Sequence, residues 1–171
     1  MGLLSKRFSG PVASILPRDK NDVAGAARAV ACGLPALEPA LPELLRWLRD
    51  LRWPVAPVLI PFFAAHGEAS LPHVRRALTS RNGLWKANLL REVVARWDPA
   101  LVPTLKFELE TLATAFDPAG ADLAAIALLI RYRISDPAWI RRWLAFKRSR
   151  LQELVEESRR LEEILSATDP H

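Results

Sequence analysis

Three features of the sequence predict an all-α fold built from stacked helical hairpins. Only 7 glycines are present and β-branched residues are sparse beside Leu, Ala and Arg, a mixture that favours helix over strand. Apolar residues recur at helical spacing, as in Leu41, Leu44, Leu45 and Leu48. The third feature is a repeat: Glu38, Glu68 and Asp98 fall at intervals of 30 residues, and each leads into Leu41-Pro42, Leu71-Pro72 or Val102-Pro103. A short period with two helical segments per unit marks hairpins that stack. A lone hairpin covers its apolar face only when a neighbour packs on it. The expected architecture is HEAT-like, a fragment of a right-handed α-solenoid, with a long helix at the C-terminal end.

Taken in order, residues 1–15 read as a flexible arm. Residues 16–135 form the helical-repeat domain, and residues 136–171 form a long helix and tail, packed on that domain or projecting from it. Asp22 caps a helix over 23–31 that ends near Gly33. Proline in a first helical turn costs no hydrogen bond, because those amides have no acceptor within the helix. Pro42, Pro72 and Pro103 are therefore expected to mark helix beginnings. Trp53 and Trp85 introduce the second apolar segments of the first two units, PVAPVLIPFFAAHG and KANLLREVVARW. Pro61 should bend the first of these or move its start. Asp-Pro-Ala recurs at 98–100, 117–119 and 136–138, pairing a capping Asp with a proline suited to the first turn. At the second copy Asp122 competes with Asp117 as the cap. ADLAAIALLIRYRI is apolar nearly all round and is expected to be buried.

The last helix carries Ile140, Leu144, Lys147, Leu151, Leu154, Ser158, Leu161 and Leu165 at alternating spacings of four and three. That is a narrow heptad stripe. Arg141, Arg142, Lys147, Arg148 and Arg150 precede Glu153, Glu156, Glu157, Glu162 and Glu163, an order that opposes the helix macrodipole. An antiparallel partner helix would bring these opposite charges together. Homo-oligomerisation through residues 137–165 is one partner expectation.

Composition narrows the classes of function. One cysteine, Cys32, excludes an internal disulfide and a cysteine-based zinc cluster. The start of the chain has no convincing secretory core, and charges or prolines break every apolar run before it reaches membrane-spanning length. A cytoplasmic protein with no membrane partner is expected. The net charge is +5; residues 1–100 hold 14 positive and 8 negative groups, and the remainder 10 and 11. A basic front half suits an acidic partner or a polyanion. Three histidines, His66, His73 and His171, fall in no metal-binding pattern, and no phosphate loop or nucleophile elbow occurs. No catalytic residue, metal ligand or cofactor is assigned, and the protein is expected not to be an enzyme.

The densest polar and aromatic cluster is WLRDLRWPVA, residues 47–56. Trp47 and Asp50 share a helical face, and Trp53 must leave the helix because it precedes Pro54. In packing terms, Asp50 or a neighbouring group would cap the next helix and Trp53 would fill the gap between two helices. Together with Leu16-Pro17-Arg18-Asp19-Lys20-Asn21-Asp22 and Leu84-Trp85-Lys86, this cluster resembles a bacterial family of small proteins catalogued as a domain of unknown function. The shared pattern is L-P-x-D-K-x-D followed by W-L-x-D-x-N-W-P-V-A, over roughly residues 15–110. Arg52 stands where the family pattern has Asn, and Asn21 where His is common. The resemblance implies the helical fold and brings no activity with it. The function expected is a protein-binding module, of adaptor or immunity type, whose surface joins Asp19, Lys20, Asp50, Arg52, Trp53, Trp85 and Lys86. The alternative is nucleic-acid binding through an arginine-rich groove holding Arg46, Arg49, Arg52, Arg75, Arg76, Arg81, Lys86, Arg91 and Arg96.

Overall fold

The computed structural model describes residues 15–168, and among them the regular structure is helical throughout. The arm expected at the N-terminus lies, apart from Ile15, outside the described residues. Contacts divide the chain into two compact units that meet at the Ile134–Ser135 bond. No helix among the described residues is long and apolar enough to cross a membrane.

The first unit opens with α1, Val23–Ala31, whose cap is the expected one: Asp22 Oδ1 accepts from the Gly25 amide at 2.8 Å. A second Asp22 bond, from the Arg18 amide to Oδ2 at 3.0 Å, ties the incoming chain to the same carboxylate. These two amides hold the Asp22 carboxyl below its ordinary range. Gly33, at φ 77°, turns the chain into α2, Leu34–Leu37. After a 3-10 turn come α3, Leu41–Leu45, and a second 3-10 turn, Arg46–Arg49. Pro42 sits in the first turn of α3, as its position in the repeat predicts. Leu41, Leu44, Leu45 and Leu48 are buried together, so the spacing that marked a helix also marks the core.

Next come α4, Ala56–Ala65, and α5, Gly67–Leu78. The prolines inside them divide the expectations. Pro61 falls in the body of α4, on an exposed position like Pro57 one turn earlier. On that face water can satisfy the carbonyl that proline leaves without a donor. Pro72 does not begin its helix: α5 starts five residues before it, at Gly67. The reason lies in packing. A Cβ on Gly67 would come within 2.7 Å of Leu101 Cδ2 and 3.1 Å of the Trp97 ring, so only glycine lets the helix start here, pressed against those two side chains. Gly67→Ala is expected to lower unfolding free energy by about 1–2 kcal/mol, the cost of overpacking. Urea denaturation would measure it, and an unchanged midpoint would contradict the close fit.

The chain continues as α6, Gly83–Asn88, which widens into one π-helical stretch, Leu89–Val93, and tightens to a 3-10 turn, Val94–Arg96. Trp97 then takes an extended conformation, φ −69° and ψ 163°, as a residue two before proline can and a helix cannot. A 3-10 turn, Val102–Leu105, has Pro103 near its start and leads into α7, Lys106–Thr114. The unit closes with α8, Ala121–Arg131, where Ala121, Ala124, Ala125, Ile126, Leu128 and Leu129 are buried. Its N-cap is Gly120, at φ 78°, which offers no side-chain cap. Asp122 therefore lies inside the first turn, and Asp117 instead turns the chain by accepting from the Ala119 amide at 2.9 Å. Asp98 and Asp136 make the same bond, to Ala100 and Ala138, so all three Asp-Pro-Ala sites use one local device.

Side chains join helices far apart in the sequence by reaching for backbone carbonyls. Trp85 Nε1 donates to the Leu45 carbonyl at 3.1 Å, Trp97 Nε1 to Phe63 at 3.1 Å, and Tyr132 Oη to Ala95 at 3.1 Å. Each acceptor lies at or near the end of a helical segment, where carbonyls lack a partner in their own helix.

The second unit is α9, Pro137–Thr168. Every residue from 148 to 168 is exposed. Arg150–Glu153, Arg159–Glu156 and Arg159–Glu163 pair along its polar side at helical spacing, each worth a few tenths of a kcal/mol.

Candidate functional site

The two segments that drew attention in the sequence meet in the structure. The Lys20 carbonyl accepts from the Val55 amide at 3.3 Å, which seats the turn before α1 beside the turn before α4. The Lys20 charge also acts on Asp50. Asp50 follows the 3-10 turn in extended conformation, φ −136° and ψ 110°, and its carbonyl accepts from the Trp53 amide at 3.1 Å. Its carboxylate grips Arg52 three ways: Oδ1 accepts from the Arg52 amide and Nε, both at 3.0 Å, and Oδ2 from Nη2 at 2.8 Å. These hydrogen bonds lower the Asp50 carboxyl to about 2 and raise the Arg52 guanidinium. Both groups therefore stay charged across the physiological range. The Arg52 side chain is 89% exposed. Asp50 does not cap α4, whose preceding residue, Val55, offers no side-chain cap; its carboxylate is spent on Arg52.

Trp53 is half-buried and sits edge-on to Trp47, with ring centroids 5.8 Å apart and planes at 70°. Such a T-shaped pair fixes the turn between the helices while leaving part of each indole accessible. Asp19 and Lys20 are exposed, and Asp19 Oδ1 takes the Asn21 amide at 2.7 Å, shaping the loop that carries Lys20. Lys20, Asp50, Arg52 and Trp53 thus form one polar and aromatic neighbourhood, with Asp19 on its rim.

Trp85 and Lys86 are placed differently. Trp85 is buried, its indole N–H given to Leu45, and Lys86 Nζ lies 3.0 Å from Asp117, the two side chains being only 13% and 10% exposed. Lys86 is thus committed to Asp117, and Trp85 belongs to the packing beneath the neighbourhood. Asn88, which sequence reasoning passed over, does the same work: its Nδ2 donates to the Leu48 and Arg49 carbonyls at 3.1 and 3.2 Å. Trp85 and Asn88 lie on one helical face and together hold the 3-10 turn that presents Asp50. The signal available was a lone amide in the apolar run KANLLREVV.

The arginines of the expected groove are largely engaged within the chain. Arg46 pairs with Glu43, Arg52 with Asp50, Arg75 with Glu108 and Arg96 with Glu92. Arg75 and Arg91 also donate to the Thr104 and Gly120 carbonyls. The Arg49 guanidinium stands 4.8 Å from the Trp85 ring centroid, and burial lowers its pKa.

A family model described as Domain of unknown function (DUF5071) matches residues 15–124. The chain belongs to this family. Among curated proteins, none matches it. The DUF5071 match runs past residue 110, where the resemblance ended in the sequence, and into α8. It takes in Lys20, Asp50, Trp53 and the helices that support them, and leaves α9 outside.

Proposed function

We propose that this DUF5071 protein is a non-enzymatic binding module of adaptor or immunity type. Its HEAT-like stacked hairpins present the surface around Lys20, Asp50, Arg52 and Trp53 to another protein. The observation that carries this reading is the pairing of a fixed, fully charged Asp50–Arg52 couple with the half-exposed Trp47–Trp53 corner. Aromatic groups beside an arginine are the composition in which binding energy concentrates at protein interfaces. Exposed ion pairs contribute little to folding, so an arginine held straight out toward solvent is better accounted for by a partner than by stability. Support for the stacked reading comes from the side-chain bonds that join one hairpin to the next, Trp85 to Leu45, Trp97 to Phe63 and Tyr132 to Ala95.

Affinity capture with the full chain, followed by Asp50→Ala with Arg52→Ala, tests the proposal. The double variant is expected to keep its unfolding midpoint and to bind the captured protein at least about tenfold more weakly. Equal capture by both forms would overturn the assignment of this surface.

A further inference from the structure

The distal half of α9 is the longest unpartnered apolar surface among the described residues. From 148 to 168 the helix is exposed on every side, a length of about 30 Å. Leu151, Leu154, Leu161 and Leu165 are 53%, 42%, 61% and 68% exposed, and they repeat at heptad spacing on one stripe. Val155 and Ile164 border it, also exposed. A stripe of this size does not stay in water without a partner when one is available.

We infer that a second copy of the chain covers this stripe, with the two α9 helices antiparallel and related by a dyad at Glu156. Charge decides the orientation. With Leu151, Ser158 and Leu165 at heptad position a, and Leu154 and Leu161 at d, Arg148, Val155 and Glu162 occupy e, and Arg150, Glu157 and Ile164 occupy g. A parallel pair sets g against the e position that follows it, which places Glu157 beside the partner copy's Glu162 on both sides of the seam. In the antiparallel pair e faces e, so Arg148 meets Glu162 twice and Val155 meets itself at the dyad; one Glu157 pair remains like-charged. Arg148, Glu157 and Glu162 make no ion pair among the described residues, whereas Glu153, Glu156 and Glu163 are already engaged along their own helix. Of the charged groups that flank the seam, Arg148, Glu157 and Glu162 are uncommitted, and Arg150 alone is paired along its own helix.

The same reasoning fixes the register. With the dyad at Glu156, Leu151 packs on Leu161 and Leu154 on Ser158, each twice. Sliding toward the N-termini by one heptad sets Leu165 and Ser158 against Ile140 and Lys147, which are already buried. With the dyad at Glu156 only Leu165, at the end of the stripe, falls opposite one of them, Lys147. Sliding the other way turns Glu162 toward Val155 and loses both opposite-charge pairs. The basic-then-acidic order, unfavourable to the helix's own dipole, is the order an antiparallel pair of copies needs.

Sedimentation of the full chain tests this, on a surface separate from the one around Asp50. A species of about twice the 19.1 kDa chain mass is expected. Leu154→Glu with Leu161→Glu should return the monomer at the same concentration without loss of circular-dichroism helix signal from the first unit. Arg148→Glu and Glu162→Arg should each weaken association about tenfold, and the two together should restore it. With Cys32→Ser, a Val155→Cys chain should crosslink to itself through a short bismaleimide, because only an antiparallel pair brings that position to its own mate. A monomeric wild type, a dimer indifferent to the leucine changes, or crosslinking through Leu151→Cys in place of Val155→Cys would overturn the inference. So would a monomer whose stripe is occupied by a different protein.

Discussion

Trp97→Ala is expected to lower the unfolding free energy by about 3–5 kcal/mol, the largest single loss in the chain. Trp97 is only 3% exposed, and it does two things at once. Its ring lies on Gly67, where α5 begins, and its indole N–H satisfies the Phe63 carbonyl near the end of α4. Truncation removes the ring from both helices and leaves the carbonyl without its donor. Trp97→Phe separates the two terms: it keeps most of the ring and should cost about 1–3 kcal/mol for the stranded carbonyl and the smaller volume. Urea denaturation of the three proteins measures this. A loss below about 1 kcal/mol for the alanine variant would mean that the two helices hold together without the indole.

The second large effect is expected at Asp117. This carboxylate holds Lys86 at 3.0 Å in a mostly buried pair, and it turns the chain through the Ala119 amide. Asp117→Asn keeps an oxygen for the turn and removes the charge, so an ammonium that water barely reaches loses its counterion. The cost is expected at about 3 kcal/mol, the lower end for breaking a buried pair because the pair keeps a little solvent contact. Lys86→Met alone should cost less, since the carboxylate retains its amide donor. The double variant should lose about 1 kcal/mol or more less than the sum of the single losses, because each single change already forfeits the pair. Additive losses in the cycle would show that the pair contributes nothing as a pair.

What could be read from the sequence divides along the distance over which each feature is decided. The first helix was legible because its cap, Asp22, and its last turn are set by residues within a few positions of one another. Pro42 was legible for the same reason. Pro72 was misread as a helix start because the start depends on Gly67, and Gly67 matters only for its contact with Trp97 and Leu101, about thirty residues further on. Trp85 and Lys86 illustrate the same limit at the candidate site. Their pattern grouped them with Asp50, but the groups that claim them are the Leu45 carbonyl and the Asp117 carboxylate, and nothing local announces either. Asp50 and Arg52, two residues apart, were identified as functional candidates, and their mutual grip is local enough to have been guessed. The meeting of Lys20 with Val55 was not, because it depends on how α1 packs against α4.

The indole, amide and phenol bonds that join helices far apart in the sequence constrain substitution unequally at their two ends. Each is specified at the donor end alone. Leu45, Leu48, Phe63 and Ala95 contribute a main-chain oxygen, which any amino acid supplies, so the joint places no demand on their side chains. Replacing Leu45, Leu48 or Phe63 with another apolar residue of similar volume leaves the joint intact, whereas replacing the tryptophan at the other end removes its donor. The instructions that join one helix to a distant one are therefore carried by a handful of donors, Trp85, Asn88, Trp97 and Tyr132, more than by the apolar residues that fill the interior.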